Sequence, residues 1–219
     1  MNMLSAKLMS AVRDLRYLLN RGYPRDSAVV FVANHHRLKL SERHLLARCV
    51  FSKAEVVSHR AKVVSGAKVR GKRLGVDGYN VLITAESILT GKSVVQCDDG
   101  FMRDLRAILG KYRMSSATSN ALTRIINIIS KARPSEVVIM FDSQVSRSGE
   151  LAAMVRRRLK RIGLKGEART AVGVDFKVRS FEVAASSDRA IIERARAVWD
   201  IPAEIIHKRA ANLIDLTAI

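Results

Sequence analysis

A continuous apolar run at residues 136–141 constrains the fold of this chain more than any other feature. It contains Val137, Val138, Ile139, Met140 and Phe141, and Asp142 follows it directly. A strand in a parallel sheet is covered on both faces, so it consists of a continuous apolar run rather than an alternating one. The run therefore predicts a central strand of a parallel sheet, ending at an aspartate.

Predicted strands and helices alternate on both sides of this run, from residue 73 onwards. Alternating strands and helices are typical of α/β proteins. We therefore expect an α/β fold, a three-layer Rossmann-like sandwich with a mainly parallel sheet. The predicted strands are 74–76, 93–96, 136–141, 171–174 and 178–184, and the predicted helices are 81–89, 101–109, 118–132, 148–162 and 189–198.

The first seventy residues have a different pattern, with apolar residues at helical spacing and many basic residues between them. Helices are predicted over 3–20, around 28–32 and after Ser41. Residues 53–73 are strongly basic and contain Gly66 and Gly71, which favours a linker or a nucleic-acid-binding arm. We predict two domains, a basic helical module at 1–70 and an α/β domain at 71–219.

The charge of the chain indicates a polyanionic partner. The chain has 39 Lys and Arg against 20 Asp and Glu, a net charge of +19, and residues 1–73 alone contain sixteen of these basic residues and four acidic ones. RNA or DNA is the simplest such partner. General surface basicity, an acidic membrane surface and an acidic protein remain alternatives. The predicted backbone-binding residues are Lys68, Arg70, Lys72 and Arg73 in the arm, and Arg156, Arg157, Arg158 and Arg161 in a basic helix.

Several classes of protein are disfavoured by what the sequence lacks. Cys49 and Cys97 have no metal-ligand partner at short spacing, and the histidines have no ligand spacing with acids or cysteines. There is no P-loop motif, no signal peptide and no apolar run of transmembrane length. We expect a cytoplasmic protein without a membrane contact.

Three predicted strands end in an aspartate where the next helix begins: Asp77, Asp142 and Asp188. The carboxyl ends of parallel strands lie at one edge of the sheet, so these carboxylates should converge. Clustered carboxylates repel each other unless a cation lies between them, and Mg²⁺ or Mn²⁺ prefers such oxygen ligands. The alternative is that each aspartate is only the N-cap of its helix.

The segments 76–82, 138–142 and 186–191 resemble the acidic strand ends of PIN-like domains, particularly those of the NYN ribonuclease-like branch. The whole chain is similar to a mainly archaeal family that joins a small basic N-terminal domain to a PIN-like domain. The resemblance implies a divalent-metal site at Asp77, Asp142 and Asp188, with Asn80 as the asparagine that follows the first aspartate. For the fourth acidic position, Asp98, Asp99, Asp104 and Glu86 compete, and we select Asp99.

These observations predict a Mg²⁺- or Mn²⁺-dependent ribonuclease that hydrolyses RNA phosphodiesters at the acidic edge. In this interpretation Asn80 orients a water or a phosphate. A non-catalytic RNA-binding protein that retains the fold is the second hypothesis. A structural protein that forms a homo-oligomer through its apolar C-terminal segment is the third.

Overall fold

The computed structural model describes residues 5–106, 112–206 and 212–219. Its contacts divide the chain into two compact units. The N-terminal unit comprises Met1–Ala61, Gly91–Ala107 and Lys208–Ile219, and the sheet unit comprises Lys62–Thr90 and Ile108–His207. The predicted boundary at residue 70 therefore differs from the boundaries of these units, because both are assembled from segments that are distant in sequence.

The N-terminal unit combines four helices with a small mixed sheet. Its strands have the order β3-β2-β7, with β2 antiparallel to β3 and parallel to β7. Leu15, Leu46 and Leu216 are fully buried in its core. The elements are α1 (Ala6–Asn20), α2 (Arg25–His35), α3 (Leu40–Cys49), α4 (Lys53–Arg60), β2 (Val94–Gln96), β3 (Met102–Asp104) and β7 (Leu213–Asp215).

The sheet unit contains a four-stranded sheet in the order β5-β4-β1-β6, and all three strand pairings are parallel. This confirms the predicted α/β class and the parallel sheet. The elements are α5 (Gly66–Val69), β1 (Arg73–Asp77), α6 (Gly78–Leu89), α7 (Ser116–Ala132), β4 (Glu136–Asp142), α8 (Ser148–Arg161), β5 (Gly166–Ala171), α9 (Val174–Val178), β6 (Val183–Ala185), α10 (Arg189–Arg194) and α11 (Ile201–Ile205).

Apolar side chains cover both faces of strand β1. Leu74 and Val76 belong to the core that includes the apolar stripe of α7. Gly75 points to the other face, where a Cβ atom would lie 2.6 Å from the ring of Phe181. Coverage of both faces at the centre of the sheet explains the continuous apolar sequence of β4, the strand that pairs with β1.

The order of the strands reverses at β1. Strands β1, β4 and β5 follow one another towards one side of the sheet, whereas β6 returns to the opposite side of β1. In open α/β sheets, ligands bind at such a switch point, outside the carboxyl ends of the two strands concerned. The switch point therefore defines the place where a functional site is expected.

Several predicted elements were wrong. Residues 102–104, predicted as part of a helix over 101–109, form strand β3 after a turn at Asp98 and Asp99; residues 107–109 lie outside the described segments. The predicted strand 171–174 shares only Ala171 with β5, which begins at Gly166, and helix α9 follows. Val174 and Val178 are buried and four residues apart, which is helical spacing. Most of the predicted strand 178–184 lies outside β6, and α10 ends at Arg194 rather than Val198.

The predicted basic arm at 53–73 is also not an extended linker. It contains helices α4 and α5 and enters β1 at Arg73. Ser52 and Glu55 form a capping box at the start of α4, so this segment is a regular part of the fold. Among the described helices, none is both long and apolar enough to cross a membrane.

Candidate functional site

Asp77 ends strand β1 at the switch point and begins helix α6. Its Oδ1 atom accepts a hydrogen bond from the backbone N–H of Asn80 at 3.3 Å, so it is the N-cap of the helix. Its Oδ2 atom accepts a hydrogen bond from the hydroxyl of Ser186, which follows β6, at 3.1 Å. The carboxylate therefore links the carboxyl ends of the two strands on either side of the switch point.

The segment after β6 completes this link. The hydroxyl of Ser186 also accepts a hydrogen bond from the N–H of Asp188 at 3.0 Å, and Asp188 caps α10 through Ala190 at 2.8 Å. The Oδ1 atom of Asn80 accepts hydrogen bonds from the N–H and the hydroxyl of Ser187 at 2.8 and 3.0 Å. Asp77 and Asp188 are thus both N-caps, and a shared serine connects them.

The environment of Asp77 raises its pKa to about 7. Burial is the largest cause, and the negative charges of Asp188 and Asp175 add to it, whereas hydrogen bonds from Asn80 and Ser186 act in the opposite direction. Repulsion between carboxylates in a partly desolvated site disfavours the charged form. A proton relieves this repulsion, and a metal cation at the same place would relieve it as well.

Asp175 is a member of this group that the sequence analysis missed. It lies exposed in the first turn of α9, which connects β5 to β6. Asp175 falls between the predicted strands 171–174 and 178–184, so nothing in that prediction directed it towards the carboxyl edge. The helical spacing of Val174 and Val178 is the sequence signal that would have placed it correctly.

Asp142 ends β4, the strand next to β1, as the sequence predicted. Its Oδ1 atom accepts a hydrogen bond from the N–H of Gln144 at 2.9 Å. Its charge acts on Tyr79, whose pKa is raised to about 12 by burial and, secondarily, by this carboxylate. Asp142 therefore belongs to the same edge of the sheet, at a strand end adjacent to that of Asp77.

The donors at this edge fit a hydrated divalent cation rather than a closed metal cage. Within residues 5–106, 112–206 and 212–219, no group of three or more His, Cys, Asp or Glu side chains is positioned to hold a metal ion. Mg²⁺, however, is often bound by one or two carboxylates and keeps several waters. Asp77 and Asp188, which the hydroxyl of Ser186 connects, would be the two carboxylates of such a site.

Asp99, predicted as the fourth acidic residue, has a different role. It is fully buried in the N-terminal unit, where Arg103 donates to both of its oxygens at 2.7 and 2.8 Å. His59 also contacts its Oδ2 atom, at 2.9 Å. The neighbouring Asp98 pairs with Arg16 at 2.6 Å. With both oxygens bound by a guanidinium group, Asp99 forms a structural ion pair, and we withdraw it from the set of metal ligands.

The two other candidates for the fourth acidic position, Asp104 and Glu86, are also bound to side chains of the protein. Asp104 pairs with Arg48 in the N-terminal unit. Glu86 is buried on α6 in the sheet unit, and its Oε1 atom accepts hydrogen bonds from the hydroxyls of Tyr112 and Thr118. This network connects α6 to the start of α7 and is a feature of the core.

The last residue of the predicted basic arm, Arg73, lies at the opposite edge of the sheet from Asp77. Arg73 begins β1 and Asp77 ends it, and four residues of strand span about 13 Å. Arg73 forms an ion pair with Glu136, with its Nε atom 3.0 Å from Oε2. Arg70, in contrast, lines a cavity of about 710 Å³ together with Arg124 and Lys131. None of these three cations has an ion-pair partner among the described residues.

The predicted basic helix is α8, and its arginines differ in their contacts. Arg156 donates to the carbonyl oxygen of Ala168 in β5 at 2.5 Å, so it connects the helix to the sheet. Arg157 and Arg161 are exposed, whereas Arg158 is half-buried. The structure therefore separates one structural arginine from three that are grouped on the same helix.

The architecture is that of an α/β protein with carboxylates at the switch point of a parallel sheet. Residues 66–204 match the family described as "Domain of unknown function (DUF5616)", to which this chain belongs, and residues 7–62 match "Protein of unknown function (DUF434)". The chain is also 36% identical over 198 residues to "Uncharacterized protein MJ0935" of Methanocaldococcus jannaschii. The aligned residues are 90% of this chain and 95% of the relative. No solved structure matches the chain.

Proposed function

We propose that this protein is a divalent-metal-dependent ribonuclease of the PIN-like, NYN-type class, which hydrolyses RNA phosphodiesters at the carboxyl edge of its parallel sheet. The observation that carries the proposal is the state of Asp77. It is a strand-end carboxylate at the switch point whose pKa is raised to about 7 by burial and by Asp188 and Asp175. Perturbed carboxylates at such a position are typical of catalytic or metal sites.

The fold supports the same class. The order β5-β4-β1-β6 with parallel pairing, and the coverage of both faces of β1, are the features expected of a three-layer Rossmann-like sandwich. Asp77 and Asp142 end β1 and β4, and Asp188 lies three residues after the end of β6, the other neighbour of β1. The proposed PIN-like class rests on this arrangement and on the motif resemblance.

The residues of the edge have distinct roles in the proposal. Asp77 and Asp188 would hold Mg²⁺ or Mn²⁺, and Asp175 and Asp142 would contribute through bound waters. Asn80 uses its Oδ1 atom to hold Ser187, which leaves its amide N–H groups to donate to a phosphate oxygen. When bound, the metal supplies charge neutralisation at the phosphate and a more acidic water.

RNA would be held mainly through its phosphates. In the part of the sheet unit that the structure describes, cations without an ion-pair partner line one cavity beside α5 and α7 and another on α8, and aromatic residues make up only 5% of the chain. Binding through phosphates is salt-sensitive and largely independent of sequence. We therefore expect the enzyme to accept many RNA sequences.

Cleavage of single- and double-stranded RNA in Mn²⁺, Mg²⁺ or EDTA tests the proposal. We expect metal-dependent cleavage that Asp77→Asn and Asp188→Asn reduce by at least about a hundredfold, since each removes a charge that neutralisation of the phosphate requires. Glu167→Gln, on the exposed strand β5 of the same sheet, is the matched control and should cleave as the wild type does. Equal cleavage by all four proteins would contradict the assignment.

An RNA-binding protein without nuclease activity is the second candidate. It is favoured by the finding that no three acidic, histidine or cysteine side chains in the described segments form a ready metal site. This function predicts salt-dependent RNA binding that Asp77→Asn leaves unchanged, with no cleavage in any metal. Measuring binding in EDTA and cleavage in Mn²⁺ on the same proteins separates the two functions.

A further inference from the structure

Arg158 on α8 has buried hydrogen-bond donors without an acceptor. Its Nη2 atom donates to the hydroxyl of Ser119 on α7 at 2.7 Å. Its Nε and Nη1 atoms are buried, and neither has a hydrogen-bond partner in the part of the chain that the structure describes. Leaving charged donors buried and unsatisfied is unfavourable, so such atoms call for an explanation.

Two further arginines surround this group and increase its positive charge. Arg157 and Arg161 lie on the same helix and, with Met154 and Arg158, line a cavity of about 310 Å³. No carboxylate among the described residues forms an ion pair with any of the three arginines. The pKa of Arg158 is lowered by burial first and then by the charges of Arg161 and Arg157.

The ordinary explanation is that these arginines lie near the C-terminus of α8, where cations interact favourably with the helix dipole. That interaction accounts for basic residues in the last turn. It does not satisfy the Nε and Nη1 atoms of Arg158, which require an acceptor outside the helix. It also does not explain why Ser119 holds the side chain over the cavity.

We propose that this cavity is a phosphate-binding site centred on Arg158, in which the guanidinium group donates to the oxygens of one phosphate group. Arginine is suited to this role because its planar group offers two parallel donors. Arg157 and Arg161 supply additional charge, and Ser119 positions the guanidinium group. Arg156 has no part in the site because it is bound to the sheet. The phosphate belongs either to the RNA backbone or to a small free phosphate compound.

This inference does not depend on nuclease activity, since the site is separate from the acidic edge. The direct test is a calorimetric titration of the full chain with inorganic phosphate in EDTA, at constant ionic strength maintained with chloride. We expect Arg158→Gln to weaken phosphate binding about ten- to a hundredfold, the effect of losing hydrogen bonds to a charged group. Lys160→Gln removes the same charge from an exposed position on the same helix and should bind as the wild type does.

Thermal unfolding in phosphate and in chloride provides a second measurement. We expect Arg158→Gln to be at least as stable as the wild type in chloride, because it removes buried unsatisfied donors, and to lose only the stabilisation by phosphate. If the wild type does not bind phosphate, if Arg158→Gln binds it equally well, or if Arg158→Gln is equally destabilised in both buffers, the proposal is overturned.

Competition identifies the source of the phosphate. If the site takes a backbone phosphate, inorganic phosphate displaces a short single-stranded RNA, and Arg158→Gln weakens RNA binding in parallel. If the site takes a free phosphate compound, neither treatment changes RNA binding. Both results retain the phosphate site, and neither requires that the acidic edge cleaves RNA.

Discussion

Asp77 is a helix cap whose ionisation is perturbed by its surroundings. The sequence left these two interpretations open, and the structure contains the cap in full, with Asn80 as the bonded residue. A simple cap on a solvated surface would ionise easily. Asp77 does not, because it is partly buried and lies near Asp188 and Asp175. The difference lies in its surroundings rather than in its own hydrogen bond.

The raised pKa of Asp77 predicts a pH-dependent effect of Asp77→Asn. An aspartate in the unfolded chain ionises near pH 3.9, whereas in the folded protein this one ionises near pH 7. The folded state therefore binds the proton more tightly, and the wild type loses stability as the pH rises from about 4 to about 7. Without metal, we expect the free energy of unfolding of Asp77→Asn to rise by about 1–2 kcal/mol relative to that of the wild type between pH 4.5 and pH 8. This is less than the full pKa shift implies, because the side chain is partly accessible.

Urea unfolding of both proteins in EDTA at several pH values measures this trend. A difference that does not change with pH would mean that Asp77 ionises normally. Repeating the series with Mg²⁺ should remove the trend from the wild type, since a bound cation stabilises the charged carboxylate.

At the scale of elements, the junction between β1 and α6 determines the geometry of the site. Gly78 follows Asp77, and its role is close packing rather than an unusual backbone conformation. A Cβ atom at this position would lie 2.5 Å from the ring of Phe141 and 2.7 Å from the carbonyl oxygen of Met140. The absence of a side chain lets α6 begin directly against β4.

Gly78→Ala should therefore destabilise the protein by about 1–3 kcal/mol, because overpacking forces a backbone shift between β1 and β4. The same substitution at Gly149, in α8, is the control: a Cβ atom there has no neighbour within 4 Å. We expect Gly149→Ala to be neutral or to stabilise the helix by up to about 1 kcal/mol. Urea midpoints compare the two, and equal midpoints would show that the junction can relax.

At the scale of the whole molecule, the excess of positive charge is only partly free to bind a partner. In the N-terminal unit, Arg16 binds Asp98 and the carbonyl oxygens of Leu216 and Ile219. Arg25 likewise binds Glu55. The sequence analysis predicted a polyanion-binding region in the first third of the chain from its number of basic residues. Some of these residues are bound to groups of the protein itself.

The unpaired cations around the larger cavity of the sheet unit predict the salt dependence of RNA binding. Replacing Arg70, Arg124 and Lys131 by glutamine should reduce the slope of log K against log salt by about 2, since each contact with single-stranded RNA contributes about 0.7. The exposed residues Lys160, Lys165 and Lys177 provide a triple glutamine control with the same change in charge. Equal slopes for the two variants would mean that the cavity does not contact RNA phosphates.

The sequence alone was sufficient for features that depend on local patterns. The continuous apolar run of β4 gave the parallel sheet, since only a strand covered on both faces tolerates such a run. Asp77 and Asp142 were placed at strand ends because each directly follows an apolar segment. The helical spacing of Leu122, Ile125 and Ile129 likewise predicted α7.

Tertiary structure decided everything that depends on contacts between distant segments. Strand β7 pairs with β2 more than a hundred residues away, so no local pattern assigns the C-terminal segment to the N-terminal unit. Asp99 resembled a metal ligand until its buried partner Arg103 was known, and Asp175 approaches Asp77 only through the path of α9. Sequence periodicity reports which faces are buried, but the pKa of a carboxylate and the unsatisfied donors of Arg158 depend on which groups the fold brings beside them.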